Sequence, residues 1–181
     1  TPTKGSVTLA GKDLYRMKED ALAFKNRFER ITFGDPLLTT QQDHVEIVNA
    51  ICQEFSNLPA DCALILMGHG TSHYANDVYA ALDYRFKDLG FSNIHLATVE
   101  GYPTLENVTR MVKEQEAKKV ILAPFMIVAG DHARNDMSGD DEDSWKNQFR
   151  AAGYDVECRM KGLGEYPAIQ DMLIRHVTEV C

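Results

Sequence analysis

A chain of 181 residues is long enough for one substantial domain, or for one domain and part of a second. Its 44% hydrophobic and 25% charged residues are typical of a globular protein in water, and its longest apolar run, residues 120–130, is far shorter than the roughly 20 residues of a membrane-spanning helix. The net charge of −8 argues against a nucleic-acid binder, and four cysteines without a CxxC pair indicate a reducing cytoplasm rather than a disulfide framework or a zinc cluster.

The first sixty residues predict two helices with a short strand between them. Apolar residues recur at steps of three and four through residues 13–31, which is the pattern of one helical stripe. The segment ITFGDPLLTT, residues 31–40, predicts a short strand that a glycine and a proline interrupt. A second amphipathic helix follows, with Thr39 or Thr40 as its N-cap.

From residue 62 onwards, predicted strands and helices alternate. Short, continuous apolar segments are typical of strands that are buried on both faces, and amphipathic segments between and after them predict helices. Thr104 is the expected N-cap of one of these helices. The alternation predicts a three-layer α/β lobe, in which helices cover both faces of a parallel sheet. The predicted strands are residues 62–68, 94–100, 119–130 and 154–160.

Residues that could bind a metal follow three of these strands. His69 comes directly after the first strand, Glu100 ends the second, and His132 follows the third, each beside a glycine or one residue away from one. Because the carboxyl ends of parallel strands share one edge of the sheet, where open α/β proteins bind ligands, we expect these side chains to converge on one crevice. The glycines would allow close approach of the backbone there.

Two imidazoles and a carboxylate are nitrogen and oxygen ligands that suit a divalent first-row transition metal, and three protein groups leave coordination positions open. The same groups can accept protons near neutral pH. A single histidine after a strand is more often a surface or internally bonded residue, and only the shared placement of the three favours a site. Such a site suits the exchange of a metal ion for the N–H protons of a macrocycle.

Four separated motifs occur in order along the chain: LMGHGTSH, TVEGYP, MIVAGDHARNDMSGDDEDSWK and GLGEYPAIQ. With them, the sequence from about residue 33 to its end resembles the anaerobic cobalt chelatases of the class II chelatase family. The resemblance implies insertion of Co²⁺ into sirohydrochlorin during cobalamin synthesis, with Fe²⁺ as an alternative metal. It also implies that His69, Glu100 and His132 are the catalytic residues and bind the metal.

The resemblance further implies two similar α/β lobes with the tetrapyrrole in the cleft between them. We therefore expect residues 1–60 to be a remnant of the first lobe with the crossover, and residues 61–181 to be a complete second lobe that carries the metal site. The opening strand of a first lobe and the helices after it have no counterpart in this sequence. An incomplete cleft would favour association into a homo-oligomer.

Four further residues are predicted to contact the substrate: His73, Gly130, Arg134 and Glu165. Sirohydrochlorin is a polycarboxylate, so cations such as Arg134 or Lys146 would have to offset its repulsion from a chain of net charge −8. We expect no organic cofactor, no nucleic acid and no membrane as partners. The sequence contains no GxxxxGK[ST] loop for ATP.

Two alternatives remain open at this point. One is a sirohydrochlorin ferrochelatase, which would use the same ligand types. The other is a metal- or tetrapyrrole-binding module without turnover. A nucleophilic hydrolase is poorly supported, because GHGTS has a histidine where the nucleophile elbow requires serine. The acidic segment GDDEDSW does not match an EF-hand and is predicted as a loop before a helix around Trp145, while His95 and His176 are expected to be structural.

Overall fold

The computed structural model describes residues 14–181, with side chains from residue 18 onwards. Six α-helices and four strands lie in this part of the chain, and short 3₁₀ or π turns connect some of them. The helices are α1 (Leu14–Leu22), α2 (Gln41–Glu54), α3 (Asp77–Asp88), α4 (Leu105–Glu114), α5 (Trp145–Ala151) and α6 (Pro167–Thr178). The strands are β1 (Cys62–Gly68), β2 (Ile94–Thr98), β3 (Lys119–Pro124) and β4 (Asp155–Cys158).

The four strands form one parallel sheet in the order β2-β1-β3-β4. Leu64 of β1 is in register with Ile94 on one side and with Ile121 on the other. All seven residues of β1 are buried, as are all five of β2. Continuous burial explains their uninterrupted apolar sequences, because helices cover both faces of a parallel sheet.

The side chains of β1 alternate between two apolar layers. Leu64 and Leu66 point to one face, where they pack with residues of α2, α3 and α6. Ile65 and Met67 point to the other face and pack with residues of α4 and α5. The predicted three-layer α/β lobe is therefore confirmed. Helix α2 lies within the predicted unit 1–60, but its apolar residues pack in the same cluster as Leu64 and Leu66 of β1. The predicted domain boundary at residue 60 stays a prediction.

Several predicted boundaries differ from the structure. Residues 31–40 form no strand, because the backbone there packs against the end of α6: the carbonyl of Asp35 bonds the imidazole of His176 at 3.0 Å instead of a neighbouring strand. The first predicted helix ends at Leu22, and the strand expected over 119–130 ends at Pro124. Beyond Pro124, the backbone carbonyls of Met126 and Ile127 accept hydrogen bonds from the turn at 163–164 rather than from β1.

The predicted helix caps agree with the structure. Thr40, one of the two residues proposed, caps α2, and its side chain accepts a hydrogen bond from the backbone of Asp43. Thr104 caps α4 in the same way. Each cap satisfies backbone N–H groups that the first turn of a helix leaves unpaired. Within residues 14–181 no helix has both the length and the apolar character needed to cross a membrane.

Candidate metal centre

The turn after β1 places His69 at the carboxyl edge of the sheet. Gly68 lies on the ring of Tyr79, which a Cβ at this position would meet at 2.4 Å. Gly70 has a φ of +82°, and a Cβ there would lie 2.6 Å from the backbone nitrogen of Gly101. Gly70 is therefore required by the packing of the turn, whereas a side chain at Gly68 would have to displace the ring of Tyr79. Between them, the side chain of His69 is half exposed.

Glu100 lies two residues beyond the end of β2, and its loop is bonded to the turn of His69. The backbone N–H of Glu100 donates to the carbonyl of His69 at 2.9 Å, and Val99 donates to Gly68 at 3.0 Å. The carboxylate Oε2 of Glu100 is then 3.8 Å from Nδ1 of His69. The backbone thus brings the first two predicted ligands together before any metal is bound.

The loop around Glu100 is also fixed by Asn76, which sequence reasoning missed. The buried side chain of Asn76 accepts a hydrogen bond from the backbone of Thr71 at 3.0 Å and donates to the carbonyl of Tyr102 at 2.6 Å. A Cβ on Gly101 would lie 2.3 Å from the amide oxygen of Asn76. One amide therefore joins the two loops, and no local pattern in the sequence indicates a contact over this distance in the chain.

His132 is not at the exit of its strand, in contrast to the prediction. It follows Pro124, the last residue of β3, by eight positions and lies in a helical turn that continues as a π turn over Ala133–Met137. The intervening segment leaves the sheet and returns to the same edge. Nδ1 of His132 is 2.5 Å from Oδ2 of Asp136, one helical turn further on. Sequence reasoning missed Asp136, although the i, i+4 spacing in HARND was a usable signal.

The structure brings the three predicted ligands into one cluster. One ligand atom from each of His69, Glu100 and His132 lies within 4.8 Å of the other two, and the two imidazole rings meet edge to face with centroids 4.7 Å apart. A divalent transition metal lies about 2.1 Å from each of its ligands, so side-chain rotations that bring the three atoms closer together would allow shared coordination. Among the side chains that the structure describes, no other group of three such residues is as close.

Comparison with known proteins decides the family. A sequence model described as "Cobalt chelatase (CbiK)" matches residues 5–181. The chain belongs to the cobalt chelatase (CbiK) family. The match covers nearly the whole sequence and confirms the resemblance that the four motifs indicate.

Two curated relatives carry names of the same kind. The chain is 36% identical over 167 residues to the sirohydrochlorin cobaltochelatase of Salmonella typhimurium, which covers 92% of this chain and 63% of that protein. It is 32% identical over 163 residues to the sirohydrochlorin cobaltochelatase CbiKC of Nitratidesulfovibrio vulgaris, covering 88% of this chain and 56% of that protein. The chain thus spans less than two thirds of the length of these cobalt chelatase relatives.

A solved structure supports the fold. A multi-domain protein of Deinococcus radiodurans, described as structurally similar to chelatases, aligns with 83% of this chain and 32% of its own, with a TM-score of 0.54. The two sequences are 20% identical, so the likeness concerns the fold alone. It agrees with a parallel α/β lobe of the chelatase type.

The other residues predicted to contact substrate lie outside this cluster. Nδ1 of His73 accepts a hydrogen bond from the backbone of Ala75 at 3.2 Å and caps a short 3₁₀ turn. Oε1 of Glu165 accepts from the backbone of Gly162 at 2.8 Å and closes its own turn. Gly130 has open space at its Cβ position, and Arg134 is exposed. Their contact with a substrate stays a prediction.

Lys146, the second cation considered, is used within the protein. Its ammonium group donates to the carbonyl of Ser138 at 2.8 Å and to the carboxylate of Asp140 at 3.1 Å, and its side chain is 13% exposed. These bonds hold the end of the π turn against α5. Arg134 is therefore the better of the two candidates for meeting an anionic ligand.

Exposed apolar side chains follow the same three strands as the ligands, a feature that sequence reasoning also missed. They are Tyr74 in the turn after His69, Tyr102 two residues beyond Glu100, and Val128 between β3 and His132. Their exposed fractions are 82%, 58% and 72%. Each belongs to a segment that carries one of the three predicted ligands, and we call these three side chains the apolar rim of the candidate metal centre.

Proposed function

We propose that this chain is the metal-binding lobe of a sirohydrochlorin cobaltochelatase and inserts Co²⁺ into the tetrapyrrole as two N–H protons leave. The observation that carries the proposal is the cluster of His69, Glu100 and His132, whose ligand atoms lie within 4.8 Å of one another in a chain of the cobalt chelatase family. The names of the two relatives supply the substrate and the metal.

The donor set supports Co²⁺ as the metal substrate. Two imidazoles and one carboxylate accept first-row divalent ions, and three protein groups leave open positions that pyrrole nitrogens can take. The ligands are partly exposed, with side-chain exposures of 49% for His69, 58% for Glu100 and 33% for His132. A macrocycle can therefore approach the ion directly. Fe²⁺ accepts the same ligands and is the alternative metal.

Proton removal falls chiefly to His69 and Glu100 in this proposal. Their 3.8 Å separation allows the carboxylate to stabilise a protonated His69 as the ring nitrogens lose their protons. His132 has its own carboxylate partner, Asp136, at 2.5 Å, and keeps the role of delivering the metal. The two histidines would then divide the reaction between them: one exchanges protons and the other holds the ion.

The apolar rim favours the binding of a flat, partly apolar substrate. Tyr74, Tyr102 and Val128 offer exposed apolar surface to the faces and edges of a macrocycle. Arg134, on the helical turn of His132, offers a cation to the substrate carboxylates, and this offsets part of the repulsion from the net charge of −8. We propose His73, Gly130 and Glu165 as further contacts, since they lie in segments that follow β1, β3 and β4.

The proposal is tested by measuring turnover. The chain is mixed with excess sirohydrochlorin and Co²⁺, and insertion is followed by the change in the absorption spectrum of the tetrapyrrole. We expect many turnovers per chain; product that stops at one equivalent would contradict the chelatase and indicate a binding module. Repeating the assay with Fe²⁺ compares the two metals. Activity per chain that rises with protein concentration would indicate that copies of the chain associate.

A ligand variant and a matched histidine control sharpen this test. Co²⁺ at about 100 times its Kd should stabilise the folded chain by about 2.7 kcal/mol, seen as a higher melting temperature. His132→Ala should lose this shift together with insertion. His44→Gln, in the first turn of α2 and outside the cluster, should keep both. Equal metal-induced shifts in the two variants would refute the assignment of His132.

A further inference from the structure

The contact between His132 and Asp136 differs from every other contact in the cluster. Nδ1 of His132 and Oδ2 of Asp136 are 2.5 Å apart, with side-chain exposures of 33% and 45%. A carboxylate that accepts a hydrogen bond from an imidazole N–H makes a charge-assisted bond, which is stronger than a bond between neutral groups. Among the side chains that the structure describes, Asp136 has no other ion-pair partner, so the bond to His132 is the main use of this carboxylate.

The bond determines which imidazole nitrogen can bind a metal. An ionised carboxylate can only accept, so Nδ1 of His132 carries the proton and Nε2 keeps its lone pair. In His69, Nδ1 lies 2.8 Å from the carbonyl oxygen of Gly70, which likewise only accepts. In both rings, Nε2 is therefore the nitrogen whose lone pair can bind a metal. Their partners differ in charge, since His69 bonds a neutral carbonyl and His132 a carboxylate.

The π turn holds the pair in place. Both the backbone N–H and the hydroxyl of Ser138 donate to the carbonyl of Ala133, at 3.1 and 2.8 Å, and this closes the wide i to i+5 turn. Asp136 follows His132 by four positions, a spacing that places two side chains on the same face of a helical turn. Ala133 and Met137 are fully buried and anchor the turn to the core. The turn thus places the carboxylate of Asp136 beside the imidazole of His132.

We infer that Asp136 is a positioning residue, which fixes the tautomer and ring orientation of His132 and strengthens its bond to the metal. A second hydrogen bond of this kind behind a metal-bound histidine orients the ring and raises its basicity, and its loss commonly weakens metal affinity or activity 10- to 100-fold. The inference rests on the proposed function for its role in catalysis. Its structural part, the Nδ1–H tautomer of His132, can be tested without metal.

The tautomer is measured first, by NMR of the imidazole nitrogens in the metal-free chain in alkaline buffer. We expect His132 to be the Nδ1–H form in the unaltered protein, and Asp136→Ala to shift the ring towards a mixture with the Nε2–H form. Asp141→Asn is the control, because it removes the same charge five positions further along the chain and its side chain has no hydrogen bond among the described residues. An unchanged tautomer in Asp136→Ala would overturn the inference.

Cobalt affinity is measured next, from the visible absorption of bound Co²⁺. Asp136→Ala should bind Co²⁺ about 10- to 100-fold more weakly than the unaltered chain, and Asp136→Asn, which keeps an acceptor oxygen without its charge, should fall between them. All variants should unfold at the same urea concentration, which separates positioning from folding. Equal affinity in Asp136→Ala and Asp141→Asn would overturn the inference. If the unaltered chain binds no Co²⁺, the proposed function fails, and the tautomer still decides the inference.

Discussion

Within the described residues, the pairs His132–Asp136 and His176–Asp43 use an imidazole and a carboxylate in opposite ways. In the candidate metal centre, His132 bonds Asp136 at 2.5 Å, both side chains are partly exposed, and Nε2 of the imidazole has no hydrogen bond within the described residues. In the second pair, His176 of α6 bonds Asp43 of α2 at 2.8 Å, and both side chains are buried. There the other ring nitrogen, Nδ1, lies 3.0 Å from the carbonyl of Asp35.

The two pairs lie at opposite ends of the sheet. The cluster of His69 and His132 is at the carboxyl edge, and α3 leads away from that edge. Arg85, in the last turn of α3, donates to the side chain of Gln41, the first residue of α2. The start of α2, with Asp43, therefore lies at the amino edge. A histidine is thus paired with a carboxylate both in the candidate metal centre, at one edge of the sheet, and in the buried contact between α2 and α6, at the other edge.

The difference lies in how many imidazole nitrogens the protein itself occupies. His176 has both nitrogens on protein acceptors, and His95 has both bonded as well, to Gln115 at 3.0 Å and to Lys87 at 3.3 Å. Neither ring can offer a lone pair to a metal. His69 and His132 each have one nitrogen bonded and the other unoccupied by protein. A free nitrogen therefore separates His69 and His132 from the structural histidines His95 and His176. His73 also keeps one nitrogen free, but it lies outside the cluster.

The buried pair is held in its charged form by its surroundings. Burial alone would raise the pKa of Asp43, but hydrogen bonds from Arg175, His176 and the Thr40 cap outweigh it and hold the pKa well below the usual range. Burial alone would lower the pKa of His176, yet the carbonyl of Asp35 and the carboxylate of Asp43 outweigh it and raise the pKa. Each residue thus favours the ionised state of the other.

The largest expected effect comes from removing one partner of the buried pair. Asp43→Ala leaves a buried imidazolium without its carboxylate, a change that typically costs about 3–5 kcal/mol. We expect about 3 kcal/mol, since Arg175 is 35% exposed and can turn to water. Urea unfolding of Asp43→Ala measures this loss. The folded fraction of Asp43→Ala should bind Co²⁺ with unchanged affinity.

The reverse pattern is expected at the candidate metal centre, where His69→Ala serves as the comparison. His69 is half exposed and contributes no core contact, so its removal should change the unfolding free energy by no more than about 0.5 kcal/mol. It should nevertheless abolish tight Co²⁺ binding. A large loss of stability in His69→Ala, or a loss of metal affinity in folded Asp43→Ala, would show that the candidate metal centre and the buried pair are not independent.

The sequence predicts the sheet well because apolar runs and helical stripes are local patterns. It also selects His69, Glu100 and His132, since the parallel sheet brings the ends of its strands to one edge. The approach of residues 31–40 to His176 depends on a contact between segments more than 130 positions apart, which no local pattern contains. The path of the chain from Pro124 to His132 was missed for the same reason, because backbone carbonyls in this segment bond the distant turn at 163–164.

A smaller effect is expected from Gly70→Ala, which tests whether the turn of His69 is rigid. The left-handed backbone at φ +82° costs a residue with a Cβ about 1–2 kcal/mol, and the added atom would lie 2.6 Å from the nitrogen of Gly101. The strain should separate the loops of His69 and Glu100, so Co²⁺ affinity should fall together with stability. Gly90→Ala is the control, because its φ is similar, at +88°, but its Cβ meets nothing within 4 Å. Equal Co²⁺ affinity in the two variants would indicate a flexible turn.

The smallest effect concerns the pH dependence of stability. A raised pKa at His176 stabilises the fold fully below the unfolded value of about 6.5, and this contribution is lost as the pH rises through the folded pKa. A lowered pKa at Asp43 stabilises the fold above the unfolded value of about 3.9 and is lost as the pH falls. The pair therefore stabilises most between these two values.

Deprotonation of His176 removes the donor from one of its two bonds, so the alkaline loss should be about one hydrogen bond, roughly 0.5–1.5 kcal/mol. Urea unfolding across the pH range measures it. His176→Gln should lack the alkaline decline, because an amide does not titrate, whereas His44→Gln, which removes an imidazole without a carboxylate partner among the described residues, should keep it. If His176→Gln declines as the unaltered chain does, the buried imidazole is neutral, and the contrast between the two pairs is one of burial alone.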